Sequence, residues 1–164
     1  MLCLSFNIDD DIFGISVNNI IEIIPMVKVK SLPHSPEILL GIINYRGEII
    51  PLFDISSIIK NRKSQYLLST RIIILNNENP QSKLKYIAFL AEQVTETIEY
   101  NKENLKDPGV TLSNADYLGN LLLINNKSVQ LINISKLVSN EVMNFITKDV
   151  ELIESNWEHI KNSV

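Results

Sequence analysis

The stretch Gly41-Ile42-Ile43-Asn44-Tyr45-Arg46-Gly47-Glu48-Ile49-Ile50-Pro51-Leu52-Phe53-Asp54 decides how the rest of the chain is read. Two aliphatic runs flank Arg46-Gly47, which predicts a β-hairpin turning at that pair. Asp54 stands before Ile55, Ile58 and Ile59, where its carboxylate can cap a short helix. Upstream, Ser35-Pro36-Glu37 predicts a helix of one to two turns. Ser35 can accept from orphan amides, Pro36 loses no donor at the first helical position, and Gly41 fits a left-handed stop. Further upstream, Leu4, Phe6 and Ile8 alternate with polar residues, Asp9 to Asp11 form a polar turn, and Phe13, Ile15 and Val17 alternate again. The first eighteen residues therefore read as a second hairpin. Asn18 or Asn19 is expected to cap a helical turn over Ile20 to Ile24 that Pro25 ends, and Val27 and Val29 resume strand alternation.

Working toward the C-terminus, residues 60–70 read as loop, Arg71 to Leu75 as a buried strand, and Asn76 to Lys83 as a turn cluster. From Tyr86 onward the pattern repeats. Ala91 to Ile98 matches Val17 to Ile24, placing Val94 on Ile20 and Glu96 on Glu22. Leu118-Gly119 matches Leu40-Gly41, a hairpin turns at Asn125-Asn126-Lys127, and Asn133-Ile134-Ser135 matches Asp54-Ile55-Ser56. The reading is mainly β: two related subdomains, each a small barrel of about five short strands. The first spans about residues 1–60 and the second about 70–140. The tail, 141–164, changes to helical period. Val142, Phe145, Ile146, Val150, Ile153, Trp157 and Ile160 fall near one stripe, expected to lie back on a barrel and shield it.

Composition narrows the function classes. The chain has 164 residues, 45% apolar and only 7% aromatic, with one cysteine and two histidines. A single thiol, Cys3, excludes a disulfide scaffold, and Cys3, His34 and His159 lie too far apart in sequence for a metal cluster. A net charge of −4 with few aromatics argues against a nucleic-acid groove, the runner-up reading for a small barrel. Lys60, Arg62 and Lys63, the densest basic spot, read as a solvated loop. The apolar start is cut off by Asp9 to Asp11, so neither a signal peptide nor a membrane span is expected, and the protein reads as cytoplasmic. No phosphate-binding or dinucleotide fingerprint occurs, and His34 has no obvious nucleophile partner, so no catalytic residue, metal or cofactor is assigned. What remains unexplained is a surplus of Ile and Leu.

Two charged residues stand out. Glu22 emerges from Ile20, Ile21, Ile23 and Ile24, and Arg46 occupies a hairpin tip beside Gly47. Two readings are open. Both can be ordinary solvated charges, which physical chemistry alone favours, or Arg46 can offer a rigid fork to a carboxylate, either Glu22 or one on a partner.

The run from Leu40 to Asp54 resembles the signature of the CheW-like family, "GvxNxRGxxxPvxDl". Ile20 to Pro25 is similar to its "VxEIip" segment, Leu32-Pro33-His34-Ser35-Pro36 to its "lPxxP" segment, and Tyr117-Leu118-Gly119 and Leu131 to Ile134 to its second-half pattern. Tyr45 before Arg46 and Leu68-Ser69-Thr70-Arg71 also resemble the WspB-type adaptors of surface-sensing pathways. The resemblance implies two five-stranded SH3-like barrels related by a pseudo-twofold, and a non-enzymatic adaptor. Such an adaptor ties the cytoplasmic tip of a chemoreceptor to the regulatory domain of a CheA-type histidine kinase and contacts other CheW-like adaptors, without nucleic acid or membrane insertion. It places Ile20, Glu22 and Arg46 on partner-binding surfaces. Gly41, Asn44 and Gly47 fix the turn, and Asp54, Gly119 and Asn133 are turn or cap positions. Asn133 stands where the family often has Asp; as a helix cap Asn serves equally. The tail helix is not explained by the resemblance.

Overall fold

Short alternating runs separated by polar turns give eleven strands among the described residues. The computed structural model describes residues 1–139 except 81 and 111, together with 142, 143, 146 and 148. The strands are β1 (Leu2–Ile8), β2 (Asp11–Ser16), β3 (Ile20–Ile24), β4 (Leu39–Tyr45), β5 (Glu48–Asp54), β6 (Arg71–Asn76), β7 (Tyr86–Ala91), β8 (Val94–Glu99), β9 (Leu105–Lys106), β10 (Leu118–Ile124) and β11 (Lys127–Ile132). With them go an α-helix, α1 (Ile55–Lys60), and single 3₁₀ turns at Val17–Asn19, Lys102–Asn104 and Ile134–Lys136.

The expected fold class is observed: mainly β, in two small sheets with few helices. One sheet runs β8-β1-β2-β11-β10-β9 and the other β3-β6-β7-β5-β4, so the first has six strands rather than five. Neither sheet follows the expected division into residues 1–60 and 70–140. The hairpin β1–β2 sits with β8 to β11, while β6–β7 sits with β3 to β5. Each half lends its first hairpin to the other half's sheet, through parallel pairings of β2 with β11 and β5 with β7. The repeat is real, but its two units are entwined.

This interleaving accounts for the aliphatic surplus. A central core between the sheets holds Phe6, Phe13, Phe53, Ile73, Leu75 and Phe89. A second core, on the other face of the five-stranded sheet, holds Ile43, Ile50, Leu52, Ile72, Ile74 and Leu90. A third, smaller one holds Cys3, Tyr100, Leu122 and Val129. Alternate residues of β6 serve different cores, Ile73 and Leu75 the central one and Ile72 and Ile74 the second. A strand buried on both faces must be apolar throughout rather than alternating.

Several local expectations are corrected. Ile20 to Ile24 is strand β3, not a helical turn, because β6 offers a continuous ladder that outcompetes one isolated turn. The turn is shifted to Val17–Asn19, where the Ser16 hydroxyl accepts from the Asn18 amide. Residues 35–41 hold no helix. Leu39 donates to the Pro36 carbonyl in a turn, and Gly41 lies inside β4 rather than at a helix stop. Val27 and Val29 are outside any strand, and only Lys30 bridges, to Ile42. At the C-terminus, Val142, Met143, Ile146 and Lys148 are helical, with Met143 and Ile146 buried in the central core. Phe145, Val150, Ile153, Trp157 and Ile160 of the expected stripe lie outside the described residues.

Candidate interaction surface

β3 is an edge strand of the five-stranded sheet. Its sequence Ile-Ile-Glu-Ile-Ile leaves Ile21 and Ile23 exposed, while Ile20 is half-buried against the central core and Ile24 against the second. Glu22 reaches the tip of the β4–β5 hairpin. That tip is fixed by backbone chemistry: Arg46 and Gly47 both have positive φ, 52° and 88°, as a two-residue primed turn requires. The Asn44 side-chain carbonyl accepts from the Gly47 amide at 2.9 Å.

Three side chains converge there. The Arg46 guanidinium donates through Nη2 to Glu22 Oε2 at 2.9 Å, and the Tyr45 hydroxyl donates to the same oxygen at 2.6 Å. Arg46 also lies 5.2 Å from the centre of the Tyr45 ring, and Tyr45 packs edge-on to Tyr86. The hydrogen bond to the Glu22 carboxylate pushes the Tyr45 phenol above its ordinary pKa, since ionising it would set two anions together. Arg46 is 72% exposed and Glu22 38%. The contact therefore uses one nitrogen, not the two-pronged fork that the residue types suggested, and most of the guanidinium faces solvent. An exposed pair of this kind contributes about 0.2–1 kcal/mol to stability. Its stronger property is that it holds a cation and an anion at fixed positions along the edge strand that also exposes Ile21 and Ile23.

Gly41, inside β4, has φ of 147°, and a Cβ there would lie 2.1 Å from the Lys30 carbonyl oxygen. That close approach lets Lys30 and Ile42 exchange both backbone hydrogen bonds, each 2.9 Å long. Asp54 is buried at the start of α1 and accepts from the amides of Ser56, Ser57 and Ser64. Gly119 and Asn133 do not share these roles. Gly119 lies in β10 and has no positive φ. Asn133 makes no side-chain capping bond to the backbone; its oxygen accepts from the Ser135 hydroxyl instead.

Sequence reasoning missed a buried polar cluster behind α1. Arg62, expected to be solvated, donates to Glu92 at 2.6 and 3.2 Å and to Asp9 at 2.8 Å. Lys60 pairs with Asp11. The Glu92 side chain is 1% exposed and also accepts from Ser56 Oγ and the Gln65 amide. Burial alone would raise the Glu92 carboxyl, but the bonds from Arg62, Gln65 and Ser56 outweigh it and hold it below the usual range. The Arg62 guanidinium is raised in turn, by its bond to Glu92 first and by that to Asp9 second. No sequence signal distinguishes Glu92 from any acid after a strand. His34 is exposed with a positive φ, and His159 lies outside the described residues. Among the described residues no group of three or more His, Cys, Asp or Glu could hold a metal, and no helix is long and apolar enough to cross a membrane.

Two entwined SH3-like sheets thus carry an ion-paired hairpin tip and an edge strand with two exposed isoleucines. Residues 2–142 match the model of the CheW-like domain, and the chain belongs to that family. It is 24% identical over 143 residues to a chemotaxis protein CheW of Klebsiella aerogenes, covering 85% of this chain and 82% of that protein. It is 25% identical over 146 residues to a chemotaxis protein CheW of Treponema pallidum, covering 84% and 82%. The fold matches that of the scaffolding protein TtCheW from Thermoanaerobacter tengcongensis with a TM-score of 0.72, at 23% identity and over 85% of this chain and 88% of that one.

Proposed function

We propose that the protein is a non-enzymatic chemosensory adaptor in the cytoplasm, coupling the tip of a chemoreceptor to the regulatory domain of a CheA-type histidine kinase. The observation that carries this reading is the Tyr45–Glu22–Arg46 arrangement beside exposed Ile21 and Ile23, in a chain that matches the CheW-like domain almost throughout. Apolar side chains supply contact area and the charged pair supplies register, which suits a partner read by position rather than by chemistry. A single barrel surface of this size offers about 600–800 Å², at the low end for stable complexes, so individual contacts are weak and assembly relies on several at once. Other CheW-like adaptors are further partners of the same kind. The narrower form of the reading is an adaptor of a WspB-type surface-sensing pathway, which Tyr45 and the Leu68-Ser69-Thr70-Arg71 run support. The pairing of Arg62 and Lys60 with Asp9, Asp11 and Glu92 neutralises two of the three cations of the densest basic spot and argues against the nucleic-acid alternative.

The test is co-purification with a CheA-type regulatory domain and a receptor tip, followed by kinase control in a reconstituted assembly. Arg46→Glu is expected to weaken coupling while the protein stays folded by circular dichroism. Unchanged kinase control by the folded variant would remove Arg46 from the interface.

A further inference from the structure

Arg46 stands on a hairpin tip, largely exposed, and its hydrogen bond to Glu22 uses a single nitrogen. One such bond does not by itself fix a long, solvated side chain, whose other rotors stay free. A second support is the Tyr45 ring, whose centre lies 5.2 Å from the guanidinium carbon. Tyr45 therefore touches both charges at once. Its ring carries Arg46, and its hydroxyl donates to Glu22 Oε2.

Tyr45 is held in turn from β7. The Tyr86 ring stands edge-on to it, with centres 5.6 Å apart and planes at 87°, a favoured geometry for an aromatic pair. Tyr86 is half-buried against the second core, and the Lys85 ammonium sits 4.9 Å from the centre of its ring. A contiguous chain thus runs from Lys85 through Tyr86 and Tyr45 to Arg46 and Glu22.

The other repeat shows the same backbone without the rings. Its β11 pairs in parallel with β2 as β5 does with β7, and the Leu131–Gly14 pair corresponds to Leu52–Ala88. In these registers Ile124 stands in the place of Tyr45, next to the turn, and Ile12 in the place of Tyr86. Both isoleucines pack on the third core, as the tyrosines pack on the second. Glu96, which matches Glu22, meets Lys127 there at 3.6 Å, against 2.9 Å for the pair beside the rings.

We infer that Tyr86 is a positioning residue for the Glu22–Arg46 site: its ring edge fixes Tyr45, and Tyr45 sets the directions in which guanidinium and carboxylate are presented. β7 belongs to the second half of the chain, so that half governs the charge geometry on the first half's hairpin tip. A partner then meets charges already in place and does not bear the cost of ordering them. The role of Tyr86 in partner binding rests on the adaptor reading; its role in fixing Tyr45 does not.

The test uses the full chain as wild type, Tyr86→Leu, Tyr86→Phe and Tyr45→Phe. Leu, or Met where Leu is not tolerated, keeps apolar bulk on the second core and removes the ring edge, whereas Phe keeps the edge. Carbon NMR of tyrosine-labelled protein follows the Tyr45 phenol through its alkaline titration, with Tyr45→Phe assigning the signal. The groups facing that phenol are Glu22, Arg46 and Tyr86. In wild type it is expected to titrate above the ordinary tyrosine value, because the Glu22 carboxylate holds its proton. Tyr86→Leu is expected to return it toward that value and Tyr86→Phe to leave it raised. The second readout is affinity for a CheA-type regulatory domain, which Tyr86→Leu is expected to weaken about fivefold and Tyr86→Phe to keep within about twofold. In an Arg46→Ala background Tyr86→Leu is expected to add nothing, because it acts through Arg46. An unmoved Tyr45 titration in a Tyr86→Leu variant with wild-type circular dichroism would overturn the inference. An equal loss of affinity in the Arg46→Ala background would also overturn it, and would make Tyr86 a direct contact. If Arg46→Ala alone leaves affinity unchanged, the adaptor reading of this site fails, and the Tyr45 titration decides the role of Tyr86 without it.

Discussion

The two repeats share a backbone plan and differ in what that backbone demands of its side chains. Asp54 and Asn133 stand at matching positions, and their amides make matching bonds, to the Ile38 and Tyr117 carbonyls at 2.9 and 2.8 Å. Yet Asp54 accepts from three further amides, whereas Asn133 holds only a neighbouring hydroxyl. Gly41 is pressed against a carbonyl with a left-handed φ; a Cβ at Gly119 would meet the Leu131 oxygen at 3.3 Å with no such φ. Glu22 meets Arg46 at 2.9 Å with a tyrosine on the same oxygen, while Glu96 meets Lys127 at 3.6 Å with both side chains more than half exposed. Ile21 and Ile23 of β3 correspond to Thr95 and Thr97 of β8. The first repeat is held to specific residues by close contacts; the second keeps the shape with looser chemistry. One site runs the other way. Buried Glu92 corresponds to exposed Asn18, so the second repeat has an anchor that the first lacks.

The comparison is broken most severely at the glycines. Gly41→Ala is expected to cost about 3 kcal/mol or more, because both its φ and the Lys30 carbonyl oppose a side chain. Gly119→Ala is expected to cost about 1 kcal/mol or less, and urea unfolding midpoints separate the two. At the next pair, Asp54→Ala orphans several buried donors and is expected to cost about 2–3 kcal/mol. Asn133→Ala is expected to stay within about 0.5 kcal/mol; a similar loss from both would show that the second repeat is equally constrained.

Glu92→Gln is expected to cost about 2 kcal/mol at neutral pH, the worth of charged hydrogen bonds lost from a buried carboxylate. Its pH dependence follows from a folded-state pKa held below the ordinary 4.5. Between the two values the unfolded chain binds the proton and the folded one does not, so acid favours unfolding. The contribution is complete above about pH 4.5 and fades as pH falls toward and through the folded value. Acid titrations of wild type and variant should therefore converge at low pH, and parallel curves would contradict the assignment. The smallest effects on stability are at the two ion pairs, where Arg46→Glu and Lys127→Glu are each expected to change it by less than about 1 kcal/mol. They separate in binding: Arg46→Glu is expected to weaken kinase coupling about tenfold, and Lys127→Glu to leave it within about twofold. Equal effects would remove the functional side of the asymmetry.

The legibility of each repeat follows from the same contrast. The Gly41 to Asp54 run is legible because nearly every polar or small residue in it has a local geometric role. Asn44 accepts from the Gly47 amide, the tip residues take positive φ, and Asp54 caps its helix. Such roles involve neighbours in sequence and leave a fixed spacing. The second repeat can be aligned but its matching polar and small residues do not announce a role, since Gly119 and Asn133 carry none comparable to Gly41 and Asp54. Ile20 to Ile24 is ambiguous in sequence because five residues with apolar positions at this density suit a helical turn as well as a strand. β6, about fifty positions away, decides between them.

The sequence by itself determined the mainly β class, three hairpin turns, the Asp54 cap, the repeat and the alignment of Glu22 with Glu96, because these depend on local backbone preference and on hydrophobic period. Only the tertiary structure decided that the repeats exchange hairpins, that Arg62 and Glu92 meet behind α1, that Tyr45 shares the Glu22 oxygen with Arg46, and that β6 is buried on both faces. Each of these joins residues distant in the chain. Hydrophobic burial, which drives such meetings, is non-directional: it requires that the aliphatic strands be covered without specifying in the sequence which strand covers which.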